Sequence, residues 1–230
     1  MIGDGADILD VGGESSRPGA QTVSEREEIK RVIPTITLLT KRIKIPVSVD
    51  TYKENVAKHA LDAGVSIINN IQGVSMSHNF LKMIKNYKAA IVLMHMRGTP
   101  KNMQKGISYK NLIREIINEL KNSIEKCLEF GIKSDKIIID PGIGFGKTAL
   151  HNIEIIKRLN EFCVLKQPIL MGTSRKSFIG KILNREPLER LPGTIATVCA
   201  SIFNGAHIIR AHDIKEMKDV LTLTDLFFKP

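Results

Sequence analysis

Short apolar, β-branched runs alternate along the chain with amphipathic stretches. The runs are Ile8–Val11, Pro46–Val49, Ile67–Ile68, Ala90–Met94, Ile137–Ile139, Ile169–Met171 and Ile208–Ile209. Continuous apolar runs of this length suit strands buried on both faces of a parallel sheet. The intervening stretches read as helices. Ser24-Glu25-Arg26-Glu27 has the form of a capping box, and Ile29, Ile33, Ile36 and Leu39 follow at helical spacing, with Pro34 inside the pattern as a candidate kink. A helix from Lys53 to Ala63 ends at Gly64. Another from Leu112 to Leu128 ends before Gly131, and one from Thr194 to Asn204 runs into Gly205.

The seven runs begin about 33 residues apart on average, close to one unit of a barrel that fits eight β/α units into roughly 250 residues. The spacing therefore predicts an α/β fold of the (β/α)8 TIM-barrel type, built as a single domain over residues 1–230, with about seven of the eight strands encoded in this chain. A doubly wound open sheet is the alternative, and it usually has fewer units in this length.

Each run ends in polar residues. The ends read Gly12-Gly13-Glu14-Ser15-Ser16-Arg17, Asp50-Thr51, Asn69-Asn70, His95-Met96-Arg97, Asp140-Pro141-Gly142, Thr173-Ser174-Arg175-Lys176-Ser177 and Arg210-Ala211-His212-Asp213. A lone Asp after a strand is often only a helix cap. In a parallel barrel, however, all seven ends converge on the face that carries the active site. Asp50, Asn69 and Asp140 can meet the N–H groups of an uncharged, nitrogen-rich ring. Arg17, Lys176, Arg210 and His212 are donors suited to phosphate oxygens. One mouth would then hold a heterocycle at one end and phosphate at the other.

Composition narrows the choice. Of 230 residues, 43% are hydrophobic and 25% charged, ordinary values for a globular chain. No apolar run approaches 18 residues, which excludes a transmembrane helix. The net charge is +10, but the basic residues are spread along the chain and Trp is absent, so neither nucleic acid nor membrane is an expected partner. Cys127, Cys163 and Cys199 are scattered without a CxxC. They build no disulfide framework or zinc site, and they fit a cytoplasmic location.

The segment Gly142-Ile143-Gly144-Phe145-Gly146-Lys147-Thr148 has Pro141 where a phosphate-binding P-loop needs its first Gly. It reads instead as a flexible glycine loop. His59, His78, His151 and His207 read as structural or surface residues. Met94, Met96 and Met103 are candidates for lining a pocket.

Seven segments carry a family resemblance: GADILDVGGESSRPGA (5–20), PVSVDTYK (46–53), GVSIINNIQG (64–73), MHMRGTPKNMQ (94–104), DPGIGFGKTALHN (140–152), GTSRKSFIG (172–180) and GAHIIRAHD (205–213). Together and in this order they resemble the dihydropteroate synthase family. Methyltetrahydrofolate-binding methyltransferase modules share the barrel, but they would not be expected to combine ESSRPG with SRKSFIG.

The resemblance implies a transferase of folate biosynthesis that joins p-aminobenzoate to 6-hydroxymethyl-7,8-dihydropterin pyrophosphate. It implies pterin contacts from Asp50, Asn69, Asp140, Lys176 and Arg210. Pyrophosphate contacts would come from Ser16, Arg17, Arg210 and His212. Phe145, Lys176 and Ser177 would border the p-aminobenzoate region where sulfonamides bind, and Arg17, Lys176, Arg210 and His212 would carry the catalysis. A homodimer and a Mg²⁺ cofactor are also implied.

Three departures accompany the resemblance. Position 16 is Ser where Thr is common, and position 70 is Asn where Asp is usual. The family's first strand and loop, with an asparagine ligand for Mg²⁺, have no counterpart in these residues, so no metal ligand is expected here and activity of the chain as it stands is expected to be low. A non-catalytic remnant that still binds pterin or pyrophosphate is the rival expectation.

Overall fold

The computed structural model describes residues 1–17, 19–73 and 76–227. Among them are seven parallel strands: β1 (Leu9–Gly12), β2 (Val47–Asp50), β3 (Ile67–Asn70), β4 (Ala90–Met94), β5 (Ile137–Asp140), β6 (Leu170–Met171) and β7 (Ile208–Ile209). All seven expected runs are strands, several shifted one residue toward the polar end. The helices are α1 (Glu25–Arg42), α2 (Glu54–Asp62), α3 (His78–Tyr87), α4 (Leu112–Glu129), α5 (Ala149–Lys157), α6 (Ser177–Leu183), α7 (Leu191–Phe203) and α8 (Ile214–Leu226).

Strands β1 to β5 form one ladder in chain order, and β6 pairs with β7. A parallel bridge between Ile139 and Ile169 joins the two groups. In-register pairs run Asp10–Ser48, Gly12–Asp50, Asp50–Asn69, Asn69–Val92 and Met94–Asp140. Parallel partners in register present their side chains to the same face, so these pairs fix which residues share the barrel interior.

The period-two alternation divides two cores. Val47, Val49, Ile68, Ile91, Leu93, Ile137 and Ile139 face outward and pack with Val32, Ile36, Val56, Leu81, Ile113 and Leu120 from the helices. Ile67, Val92 and Leu170 face inward with Ala90, Ile138 and Ile208 and form a smaller inner cluster. On β3, β5 and β7 the inward positions further along are polar (Asn69, Asp140 and Arg210), and these supply the mouth, while on β4 that position is Met94. Those three strands are thus apolar on both faces only near their starts.

Local signals explain most boundaries. Ser24 accepts from the Glu27 amide, but the Glu27 carboxylate bonds Arg31. The expected capping box is therefore half formed. Helix α1 continues through Pro34. Gly64, Gly131 and Gly205 take positive φ beyond their helices. His59 bonds the Asn55 carbonyl within α2, His78 packs on Phe130, and His207 accepts from the Ile169 amide. His151 completes a capping box with Thr148 at the start of α5.

The expected flexible glycine loop is instead close-packed. Gly142, Gly144 and Gly146 all have positive φ. A Cβ on Gly142 would lie 1.9 Å from the His95 carbonyl oxygen, and one on Gly146 would lie 2.8 Å from that of Arg97. Glycine is needed here for backbone approach as well as for φ. Gly142→Ala is expected to lower folding stability by about 3 kcal/mol, from strained backbone and overpacking together. Urea unfolding of the two proteins measures it.

Candidate active site

The inward alternation carries β1, β2, β3, β5 and β7 into the mouth as Asp10, Asp50, Asn69, Asp140 and Arg210. At its centre the Arg210 guanidinium lies between two carboxylates. Its Nε donates to Asp10 Oδ2 at 2.7 Å and its Nη2 to Asp50 Oδ2 at 3.1 Å. Asn69 Nδ2 donates to the same Asp10 oxygen at 3.1 Å. Burial pushes the Asp50 carboxyl up to about 7; the Asp10 charge adds to the rise, while Arg210 and Lys176 oppose it.

Asp140 sits at the end of β5, buried, with Oδ1 accepting from the Gly142 amide at 2.7 Å. Burial raises its pKa, and that amide, Lys176, Lys147 and Arg210 hold the charged form against the rise. Lys176 is the residue before α6, and its ammonium lies 4.3 Å from the centre of the Phe145 ring. Burial depresses the Lys176 pKa to about 8, while Asp140 and Asp50 favour its charge. Phe145 belongs to an apolar cluster with Ile71, Met94 and Met103, against which Tyr52 and Met96 pack. The three methionines therefore pack as a small apolar core around Phe145.

His212 Nδ1 lies 2.9 Å from the Ser174 hydroxyl. Burial and the neighbouring Arg210 and Arg175 lower its pKa, so the imidazole is neutral near pH 7. Arg17 is exposed on the loop after β1, and its side chain has no hydrogen bond or ion pair among the described residues. Its field still reaches Lys176 and His212. Ser16 is half-buried beside it. Ser177 stands apart: it is exposed as the first residue of α6 and lines a surface groove with Arg185 and Arg190.

Three supports were missed in the sequence. Asp10 holds Arg210 and Asn69, as described above. Lys53 anchors the loop after β1: it donates to Glu14, to Glu28 Oε2 at 2.6 Å and to the Val23 carbonyl at 2.6 Å. Glu14 in turn accepts from the Val23 amide and the Tyr52 hydroxyl. The third support is buried behind the glycine loop. Lys147 Nζ lies 2.9 Å from His95 Nδ1 and donates to the Phe145 carbonyl at 3.0 Å. His95 Nε2 lies 3.1 Å from Glu119, which also pairs with Arg97. Asp10 alone was signalled locally, as a charged residue inside the apolar run Ile8–Val11, a placement that is rare without a partner.

Asn70 is also accounted for. Its Oδ1 accepts from the Gln72 amide at 2.7 Å. An Asp carboxylate offers the same oxygen, so the turn is served by either residue.

With this geometry in place, the class is defined: a β/α barrel whose mouth pairs carboxylates and an amide with clustered cations. The sequence matches the pterin binding enzymes over residues 1–212, and the chain belongs to that family. The dihydropteroate synthase of Synechocystis is 43% identical over 230 residues, covering all of this chain and 80% of that protein. A Clostridium difficile dihydropteroate synthase, solved with pteroic acid, superposes with a TM-score of 0.94 at 44% identity and covers 100% of this chain and 85% of its own. The Xanthomonas albilineans enzyme, solved with 4-aminobenzoic acid, gives a TM-score of 0.93 at 36% identity, covering 100% and 82%.

The His95 network makes a pH prediction. Burial and the Lys147 charge depress the folded-state pKa of His95 to about 4, from an ordinary 6.5. Below pH 6.5 the unfolded chain takes up this proton and the folded one does not. His95 therefore causes stability to fall as pH drops from about 6.5 to about 4. Glu119, lowered to about 2 despite its burial by its bonds to His95 and Arg97, adds a further loss below about 4.5. His95→Asn is expected to flatten the decline between pH 6.5 and 4.5, measured by urea unfolding across that range.

Proposed function

We infer that this chain is a transferase that condenses p-aminobenzoate with 6-hydroxymethyl-7,8-dihydropterin pyrophosphate, giving 7,8-dihydropteroate and pyrophosphate. The observation that carries this reading is the set of groups gathered about Arg210. Asp50, Asn69 and Asp140 are acceptors for ring N–H groups at the strand ends. Arg17, His212 and the free edge of Arg210 are assigned as donors for phosphate oxygens; the Arg17 charge reaches Lys176 and His212, and the Arg210 charge reaches His212.

In the reaction the bridging CH2–O bond breaks as the arylamine nitrogen bonds to the same carbon. The amine then loses a proton, and the oxygen leaves with pyrophosphate. Cationic character at the carbon and negative charge on the leaving group grow together. Asp50, Asn69 and Asp140 hold the ring, so the electrophile is positioned before attack. Arg17, Arg210 and His212 face the leaving group, where fixed donors stabilise developing charge. Lys176 over Phe145 joins the two halves, within reach of both the pterin and the aryl ring. Ser177, exposed at the helix start, would meet p-aminobenzoate only at the rim.

The Mg²⁺ implied by the family resemblance has no cage here. Among the described residues no three His, Cys, Asp or Glu side chains cluster to hold a metal, and both carboxylates beside Arg210 are engaged by it. Among this chain's own residues, Arg17, Arg210 and His212 are assigned to stabilise the leaving group.

Conversion of the two substrates, followed by pyrophosphate release, tests the function. Substrate binding without turnover would favour the remnant, and failure to bind a pterin would overturn the reading. Asp140→Asn is expected to weaken a pterin ligand by about 1.5–3 kcal/mol, the usual worth of a hydrogen bond to a charged group, in a calorimetric titration.

We propose further that the chain forms a homodimer through the face of α7 and α8. Phe203, Leu223, Leu226 and Phe227 are each more than half exposed, and the rings of Phe203 and Phe227 lie 6.2 Å apart. They form an apolar patch of a kind that marks association surfaces. No described helix is long and apolar enough to cross a membrane, so a second copy is the fitting occupant, and unpaired Cys127, Cys163 and Cys199 suit a reducing cytoplasm. Leu226→Glu is expected to shift a dimer to monomer in sedimentation equilibrium.

A further inference from the structure

We propose that Asp10 is a positioning residue of the transferase reaction: it holds Arg210 by Nε and fixes the orientation of the Asn69 amide, so that each presents one defined edge to the pterin pyrophosphate. The inference rests on the function proposed above and adds a residue to its machinery.

Asp10 lies inside β1, between Leu9 and Val11, where a charge is expensive unless paired. Its register partner is Ser48 of β2, so it enters the barrel one layer below Asp50. From there one oxygen, Oδ2, accepts both from Arg210 Nε at 2.7 Å and from Asn69 Nδ2 at 3.1 Å. The other oxygen, Oδ1, is buried with no partner.

The guanidinium explains the placement. Its five N–H donors lie in one rigid plane. Nε is engaged by Asp10 and Nη2 by Asp50, while Nη1 has no partner among the described residues. Two carboxylates on adjacent corners set the plane. When ring N–H groups of a pterin engage Asp50, Nη2 is released toward the leaving group. The Nε link lies on the edge away from Nη1 and need not break. Arg210 can thus exchange one partner for the ligand without losing its orientation.

Asn69 is served in the same way. Its Nδ2 is committed to a carboxylate, which can only accept. Its Oδ1 is therefore the atom left for the ligand, an acceptor for a ring N–H. Without the charge at position 10, the two amide orientations would be far closer in energy.

The test is calorimetric titration of inorganic pyrophosphate into four proteins: wild type, Asp10→Asn, Arg210→Met and the double variant, each checked for folding by circular dichroism. Wild-type binding that is lost in Arg210→Met supports the functional reading independently of Asp10. Absence of wild-type binding overturns that reading and this proposal with it. Asp10→Asn is expected to weaken pyrophosphate about tenfold, because the Arg210 guanidinium loses its fixed orientation toward the anion. In the Arg210→Met background the same change is expected to have no further effect. An unchanged affinity, or an equal loss in both backgrounds, overturns the proposal. If Asp10→Asn does not fold, the wild type decides by NMR. The Arg210 Nε–H resonance, identified by its loss in Arg210→Lys, is expected to exchange slowly with solvent both before and after saturation with pyrophosphate. Rapid exchange in either state overturns the proposal.

Discussion

Burial of charge in the barrel mouth is the constraint on which the rest of the structure depends. Asp10, Asp50 and Asp140 are largely buried at the strand ends, facing Lys176 and an Arg210 side chain that stays 45% exposed, and each carboxylate would be costly there alone. Arg210 matters most because of where it stands. Strands β1 to β5 are laddered, and β6 and β7 join them through the Ile139–Ile169 bridge. Between β7 and β1 the described residues form no backbone ladder. The guanidinium of Arg210, at the end of β7, spans that interval to Asp10 and Asp50 on β1 and β2. The same ion pairs that prepare the site therefore tie the two ends of the sheet together.

The loops around the mouth are held from behind. Lys53 fastens the root of the loop after β1 through Glu14, Glu28 and the Val23 carbonyl. Beyond that root, Arg17 lies on the exposed part of the loop, whose Gly19 amide reaches the Pro100 carbonyl of another mouth loop. The glycine loop is fixed in a similar way by Lys147 and His95. Burial depresses the Lys147 pKa to about 7, which the Asp140 and Glu119 charges oppose. A lysine kept so deep is sustained by the three acceptors around it, the His95 and Phe145 carbonyls and His95 Nδ1. The consequence for function is that Phe145, the ring beneath Lys176, sits on a backbone anchored at several points.

The two halves of the proposed chemistry place different demands on the fold. Ring recognition needs acceptors that stay put, and Asp140 and Asn69 are buried and hydrogen-bonded at strand ends. Leaving-group stabilisation needs donors able to meet an anion, and Arg17 and half of the Arg210 fork remain open. In this reading rigid strand ends carry binding, and a more exposed loop and the open edge of a held guanidinium carry the changing charge. This is a sensible division, because electrostatic catalysis works through groups oriented in advance.

The sequence by itself determined the strands, most helices and the polar strand ends. Apolar runs, glycine stops and caps act over a few residues, so they are legible without knowing the fold. The polar residues that meet in the mouth were legible for the same reason: Asp50, Asn69, Asp140 and Arg210 each terminate a run. What only the tertiary structure decided depends on which distant residues meet. Asp10 is 200 positions from Arg210; its place inside an apolar run signals that it has a partner, but nothing local says which. The glycines at 142 and 146 read as freedom in the sequence, yet packing against the His95 and Arg97 carbonyls makes them a tight fit. Glu27 had the right spacing to complete a capping box but bonds Arg31 instead, because two partners of similar reach compete and the surroundings choose between them. Ser177 carried a family motif, yet the start of α6 turns it toward the outer surface. Short-range patterns fix elements, whereas charge pairing and close packing across the barrel fix the site.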